Sequence, residues 1–153
     1  MYILCDGNWD RPEIEISDSP RGIIEQGELW ESISEDLKLP AEKIKSEFYA
    51  ENLETISMKL SPIKNPERLD LIKIYLNNKN LVFEGSKSVF HKLGMSLLSY
   101  FHENSQKGEH FHLDYVEDDP LLAPTNCHVI FLCRDPHIAF LRKMRYNVTD
   151  TYS

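Results

Sequence analysis

The residues with the clearest chemical potential lie in the stretch 108–115, which reads GEHFHLDY. His110, His112 and Asp114 follow one another there at two-residue spacing. Because side chains of a β-strand alternate between its two faces, these three would share one face of a strand. Imidazole nitrogens and a carboxylate together suit zinc, iron or manganese. The spacing therefore raises two hypotheses, a metal centre and the polar face of an ordinary strand.

Known catalytic contexts for such a motif fit this chain poorly. Barrel hydrolases that use a His-x-His pair need about 250 residues, whereas this chain has 153. The sequence contains no GxSxG element, and its 6 glycines form no phosphate-binding loop. We therefore favour a strand whose Phe111, Leu113 and Tyr115 face the core. We expect no catalysis and no cofactor.

The charge is concentrated at the start of the chain. Residues 1–60 contain 14 Asp or Glu and 6 Lys or Arg, whereas residues 61–153 contain 11 of each. The net charge of −8 therefore comes entirely from the segment 1–60. An acidic protein repels nucleic-acid phosphates and attracts basic partners, although acidity also simply aids solubility. The expected partner is a basic protein surface, not a nucleic acid.

Targeting signals and membrane segments are not evident in the sequence. No apolar run approaches the roughly 20 residues that a membrane helix needs, and no basic region precedes a long apolar stretch at the start. The 3 cysteines do not form a CxxC motif, which favours reduced thiols. These features predict a cytoplasmic protein with no membrane partner.

Two strand–helix units, 13–34 and 81–103, have a similar pattern. In each, a predicted strand is followed by a serine that can cap a helix, Ser19 in the first unit and Ser86 or Ser88 in the second. When Ser19 is aligned with Ser86, Gly27 falls on Gly94 without a gap. A glycine within a helix is unfavourable by up to about 1 kcal/mol relative to alanine, so we expect both glycines to allow close packing on a sheet.

The remaining segments complete an α+β pattern. Alternating residues predict strands at 56–60, 72–76 and 110–116, and an apolar run predicts a strand at 128–134. We expect a helix over 40–52, with part of a long strand as the alternative, a turn-rich break over 61–66, and a short helix after residue 134. The chain is then a single α+β domain, 1–153, with a mostly antiparallel sheet of about five to seven strands carrying two or three helices.

The order of elements over residues 72–135 resembles small bacterial immunity proteins. Its features are a strand, a helix, EHFHLDY, a loop and the apolar strand HVIFLCRD; EHFHL is the most specific. The resemblance implies a protein that acts without catalysis in the cytoplasm. It implies binding of a cognate polymorphic or contact-dependent toxin, often a nuclease with a basic cleft, by blocking the active site or substrate access.

Two segments are candidates for toxin contact. One is the loop after the histidine strand, where three carboxylates precede two leucines, and the other is the acidic unit around the first helix. The candidate residues are Glu117, Asp118, Asp119, Leu121 and Leu122 in the loop, and Glu28, Glu31 and Glu35 in the acidic unit. For both, the simpler alternative is a solvated surface, with the leucines turned inward. The alternative function is a small metal-binding protein or enzyme at His110, His112 and Asp114.

Overall fold

Nine strands and two helices follow one another in the part of the chain that the structure describes. The structure is a computed structural model, and it describes residues 1–61 and 70–134. The elements are β1 (Tyr2–Cys5), β2 (Glu13–Asp18), α1 (Pro20–Glu31), β3 (Leu37–Pro40), β4 (Glu51–Asn52), β5 (Thr55–Leu60), β6 (Lys73–Asn77), β7 (Asn80–Gly85), α2 (Lys87–Tyr100), β8 (His110–Leu113) and β9 (His128–Cys133).

Both helices begin at serines that the sequence indicates as caps, and of the two candidates for the second helix the structure shows Ser86 as the cap. The Ser19 hydroxyl accepts a hydrogen bond from the Gly22 N–H at 3.2 Å, and Pro20 occupies the first helical position. The Ser86 hydroxyl accepts one from the Val89 N–H at 3.3 Å. Each cap satisfies a backbone donor that the helix itself leaves unpaired, which fixes the helix start.

The strands form two mixed sheets, and the α+β class is confirmed. Sheet A has five strands in the order β4-β1-β2-β9-β8, and sheet B has four in the order β3-β5-β7-β6. Each sheet contains one parallel pair, β2 with β9 in sheet A and β5 with β7 in sheet B. The sequence predicts one sheet, but the structure has two. Each half of the described chain contributes strands to both sheets.

The two halves of the described chain exchange strands in an equivalent way. In the first half, β1 and β2 belong to sheet A, α1 follows, and β3 and β5 join sheet B. In the second half, β6 and β7 belong to sheet B, α2 follows, and β8 and β9 join sheet A. The alignment of Ser19 with Ser86 also places the start of β2, Glu13, on the start of β7, Asn80. The registers of the two parallel strand pairs also correspond, because the first residues of the paired strands face each other in both. Glu13 of β2 pairs with His128 of β9, and Asn80 of β7 pairs with Thr55 of β5. The fold therefore has an internal pseudo-two-fold relation.

The helices cross where the two mid-helix glycines meet. A Cβ added at Gly94 would lie 2.6 Å from the carbonyl oxygen of Gly27 and closer still to the amide nitrogen of Glu31. The expectation that these glycines pack on a sheet is wrong, because the close approach is between α1 and α2. Glycine is required at position 94, since any side chain there would meet backbone atoms.

Trp30 joins the two sheets within a single core. Its fully buried ring lies 4.9 Å from the ring of Phe83 in β7, 5.7 Å from that of Phe131 in β9 and 6.3 Å from that of Phe90 in α2. Phe83 belongs to sheet B and Phe131 to sheet A. One aromatic cluster therefore holds both sheets and both helices together, as expected of a large buried side chain.

The expected helix over 40–52 is wrong. Pro40 lies at the end of β3, which pairs with β5, and Glu51 and Asn52 form β4, which pairs with β1. The Asn52 side chain exchanges hydrogen bonds with the backbone of Ile44, at 3.0 Å and 2.9 Å, and this holds the intervening loop. Pairing with distant strands thus overrides local helix propensity.

Two expectations lie outside the described residues, namely most of the break over 61–66 and the helix after 134. The strand predicted over 110–116 ends earlier, at Leu113. Among the residues that the structure describes, no helix is long and apolar enough to cross a membrane.

Candidate functional site

The histidine motif lies on the outer face of an edge strand. His110, His112 and Asp114 are all exposed, whereas Phe111 and Leu113 turn toward the helices. β8 is the last strand of sheet A and pairs with β9 on one side. The alternation expected from the two-residue spacing is therefore observed.

Asp114 lies between two imidazoles. The His128 Nδ1–H of the adjacent strand donates to Asp114 Oδ1 at 3.2 Å, and His112 Nδ1 lies 3.6 Å from Asp114 Oδ2. The His110 Nδ1–H donates to the carbonyl of Gly108 at 2.9 Å, and its ring packs against that of His112 with centroids 4.9 Å apart. Backbone and carboxylate oxygens thus fix the exposed rings.

The alternative hypothesis of a metal centre needs at least three donors that converge on one point. Within residues 1–61 and 70–134, no group of three His, Cys, Asp or Glu side chains has a geometry that could hold a metal ion. The Nδ1 atoms of His110 and His128 are instead directed at oxygen acceptors. The observed contacts suit a polar, hydrogen-bonded surface.

The loop after β8 divides its residues between surface and core. Glu117 and Asp118 are exposed, and neither carboxylate has a hydrogen-bond or ion-pair partner among the described residues. Asp119 instead closes the turn, because its Oδ1 accepts from the amides of Leu121 and Leu122, both at 2.8 Å. The first two carboxylates are therefore available to a partner.

The leucines of this loop turn toward the core. Leu122 is only 2% exposed and forms an isolated bridge with Ile72, while Leu121 is partly buried against the same core. The Ile72 amide donates to the Leu121 carbonyl at 2.8 Å, and the Ala123 amide donates to the Ile72 carbonyl at 2.9 Å. Leu122 cannot contact a partner in this conformation, so we remove it from the candidate contact residues.

The acidic residues in and after α1 form a separate patch. Glu28 and Glu35 are exposed, Glu35 lying beyond the end of the helix, and the Oε1 of Glu31 lies 3.4 Å from Nδ1 of His91 in α2. Nearby, Asp36 accepts a hydrogen bond from the Leu60 amide at the end of β5. In the described part of the chain, no hydrogen bond or ion pair joins these residues to β8 or its loop.

An apolar groove beside β8 is not apparent from the sequence. It has a volume of about 440 Å³ and lies between α2 and β8, lined by Met95, Ser96, Ser99, Tyr100 and Phe111. Met95 and Tyr100 are each 45% exposed, and the rings of Tyr100 and Phe111 lie 5.5 Å apart. The only sequence signal is that Met95 and Tyr100 fall outside the buried stripe of α2.

Other chemically interesting groups are protected or already paired. Burial raises the pKa of each of the three thiols, Cys5, Cys127 and Cys133, so all are protonated and weakly nucleophilic at neutral pH. On sheet A, Arg134 bonds to Ser17 Oγ at 2.7 Å and to Glu15 Oε1 at 3.2 Å. These contacts stabilise the end of β9.

No family model, curated protein or solved structure matches this chain. We therefore infer the function from the chemistry of the surface itself.

Proposed function

We propose that this protein is an immunity protein that binds a cognate bacterial toxin and blocks its active site or its access to substrate. The proposed toxin is a nuclease-type effector with a basic cleft, and the proposed site of action is the cytoplasm. The proposal uses no catalytic group of this chain.

The charge around β8 is the observation that carries the proposal. Residues 103–119 contain six acidic residues and one lysine, a net charge of −5 with histidine neutral. Five of the six carboxylates belong to exposed residues, and those of Glu117 and Asp118 have no described partner. Unpaired surface carboxylates attract a basic partner at long range and raise its association rate.

The scaffold suits presentation of such a surface. β8 pairs with the interior strand β9, and the loop after β8 is fixed at Ile72 by two backbone hydrogen bonds. A surface held in one conformation loses little entropy on binding. The order of elements over residues 72–135, which resembles small bacterial immunity proteins, is the reason for proposing a toxin as the basic partner.

Co-expression with the toxin encoded beside this chain tests the proposal directly. We expect restored growth and a stable complex by size-exclusion chromatography. Failure of both would refute the proposed function.

Charge reversal at the loop tests which surface is used. In the double variant Glu117→Lys, Asp118→Lys we expect association with the toxin to slow at least about tenfold at low salt, with a flatter salt dependence. The matched control is Glu28→Lys, Glu35→Lys, which makes the same charge change in the patch around α1. Equal effects of both variants would show that only net charge matters and would exclude the loop as the contact surface.

A further inference from the structure

The sheets of the described chain have four edges, and three of them are protected. Exposed strand edges tend to pair with other chains, and proteins block them with short strands, lysine, proline or covering loops. β4 has only 2 residues, and β3 carries Lys38 and Pro40. The edge of β6 is covered by the loop after β8, through the bridge from Ile72 to Leu122 and a 2.7 Å hydrogen bond from Thr125 Oγ1 to the Ile74 carbonyl.

The fourth edge, β8, has neither a lysine, a carboxylate nor a proline. Its sequence is HFHL, and no described strand pairs with its outer side. The Cys133 amide donates to the Glu109 carbonyl, so this carbonyl points toward β9. Along an antiparallel strand, successive residues direct their backbone N–H and C=O groups to opposite sides. Those of Phe111 and Leu113 therefore point toward β9, and those of His110 and His112 point to the open side.

From these observations we infer that β8 accepts an extended basic segment of a partner protein as an additional strand of sheet A. This inference rests on the proposed function and specifies the contact between this chain and its toxin. The backbone groups of His110 and His112 would supply the pairing, as in other cases of strand addition.

The two faces of β8 specify the side chains of the added strand. Residues directly opposite one another in paired strands lie on the same face. A residue opposite Phe111 therefore enters the groove lined by Met95 and Tyr100, which fits an apolar side chain. Residues on the other face lie beside the Asp114 carboxylate, which fits arginine or lysine. The expected segment alternates apolar and basic residues.

Charge selects this partner over a second copy of the chain. Pairing of two β8 strands would bring together two segments that each carry a net charge of −5 over residues 103–119. Like charges facing each other across a strand pair are destabilising. A basic segment reverses the sign of this interaction.

Two synthetic heptapeptides test the inference with the full chain at pH 7.5. In one peptide Arg alternates with Ile, and in the control Glu alternates with Ile. We expect the Arg peptide to bind at least tenfold more tightly by fluorescence anisotropy and to slow amide hydrogen exchange at His110 and His112. Equal binding of both peptides, or protection elsewhere, would overturn the inference. A dimer through β8 in sedimentation experiments would replace it with self-pairing.

Variants separate the backbone contribution from that of the groove. His112→Pro removes an outward N–H that β9 does not use, and we expect it to abolish protection by the Arg peptide. Met95→Lys places a cation in the groove at an exposed helix position, where it repels the Arg peptide and fills the apolar site. We expect at least a tenfold loss of affinity; Met95→Leu is the matched control. If His112→Pro is unfolded by circular dichroism, the Met95 pair decides, and equal affinity of its two variants overturns the inference.

The toxin complex distinguishes failure of this inference from failure of the proposed function. Neutralisation that persists in Met95→Lys, with hydrogen-exchange protection away from β8, would remove strand addition and leave the immunity function. Binding of the Arg peptide at β8 without any neutralisation of the toxin would support strand addition and refute the immunity function.

Discussion

Strands β3 and β8 hold equivalent positions in the two halves of the chain, yet their chemistry is opposite. Each follows the helix of its half, and each is the edge strand beside one member of the parallel pair of its sheet. β3 carries Lys38 and Pro40, which resist pairing, whereas β8 presents two histidines beside an apolar groove. Within the described residues, one half of the chain thus has a protected edge strand where the other half has an open one.

The largest expected effect concerns Trp30 and Leu97, which occupy equivalent positions when Gly27 is aligned with Gly94. Trp30 contacts aromatic rings from both sheets, so Trp30→Ala should lower the free energy of unfolding by about 4–5 kcal/mol. Leu97→Ala should lower it by only about 2–3 kcal/mol. Urea denaturation followed by circular dichroism measures both. Equal losses would show that the two helices contribute equally to the core.

The next largest effect on stability is expected at Gly27 and Gly94, the two glycines where the helices cross. A Cβ at Gly94 meets backbone atoms of α1, among them the Gly27 carbonyl oxygen at 2.6 Å, whereas a Cβ at Gly27 meets side-chain atoms of Leu98 at 3.1 Å and the Gly94 carbonyl oxygen at 3.3 Å. Gly94→Ala should therefore destabilise the fold by about 2–3 kcal/mol. Gly27→Ala should change stability by less than about 1 kcal/mol, because Leu98 can move and alanine favours the helix. The opposite order of thermal midpoints would contradict the observed geometry.

The smallest expected effect on stability comes from the buried thiols, all of which lie in or beside sheet A. Burial, with the nearby charges of Glu109 and Asp18, raises the pKa of Cys133 from 9.0 to about 11. The contribution of this thiol to stability is fully present below pH 9 and is lost as pH rises toward 11, where the unfolded chain ionises first. Between pH 8 and pH 10.5 wild type should lose more stability than Cys133→Ala, by up to about 2 kcal/mol.

Urea midpoints at these two pH values measure the difference, and the cavity left by alanine is the same at both. Parallel losses in the two proteins would show that Cys133 ionises as readily in the folded chain as in the unfolded chain.

Local features of the structure were predictable because they depend on neighbours in the chain. Ser19 and Ser86 cap the helices as expected, and the alternation of His110, His112 and Asp114 on one face follows from strand geometry alone. The α+β class followed from the same patterns. The helix expected over 40–52 failed because β3 and β4 gain their hydrogen bonds from strands elsewhere in the chain.

The sequence by itself determined the capped helices, the apolar strands and the polar face of β8, since periodicity and capping act within a few residues. Only the tertiary structure decided which sheet each strand joins and that the two glycines meet between helices. It also buried Leu122 against Ile72 and, among the described strands, left β8 as the open edge. The physical reason is that strand pairing and burial join residues far apart in sequence, so neither is encoded in any single segment.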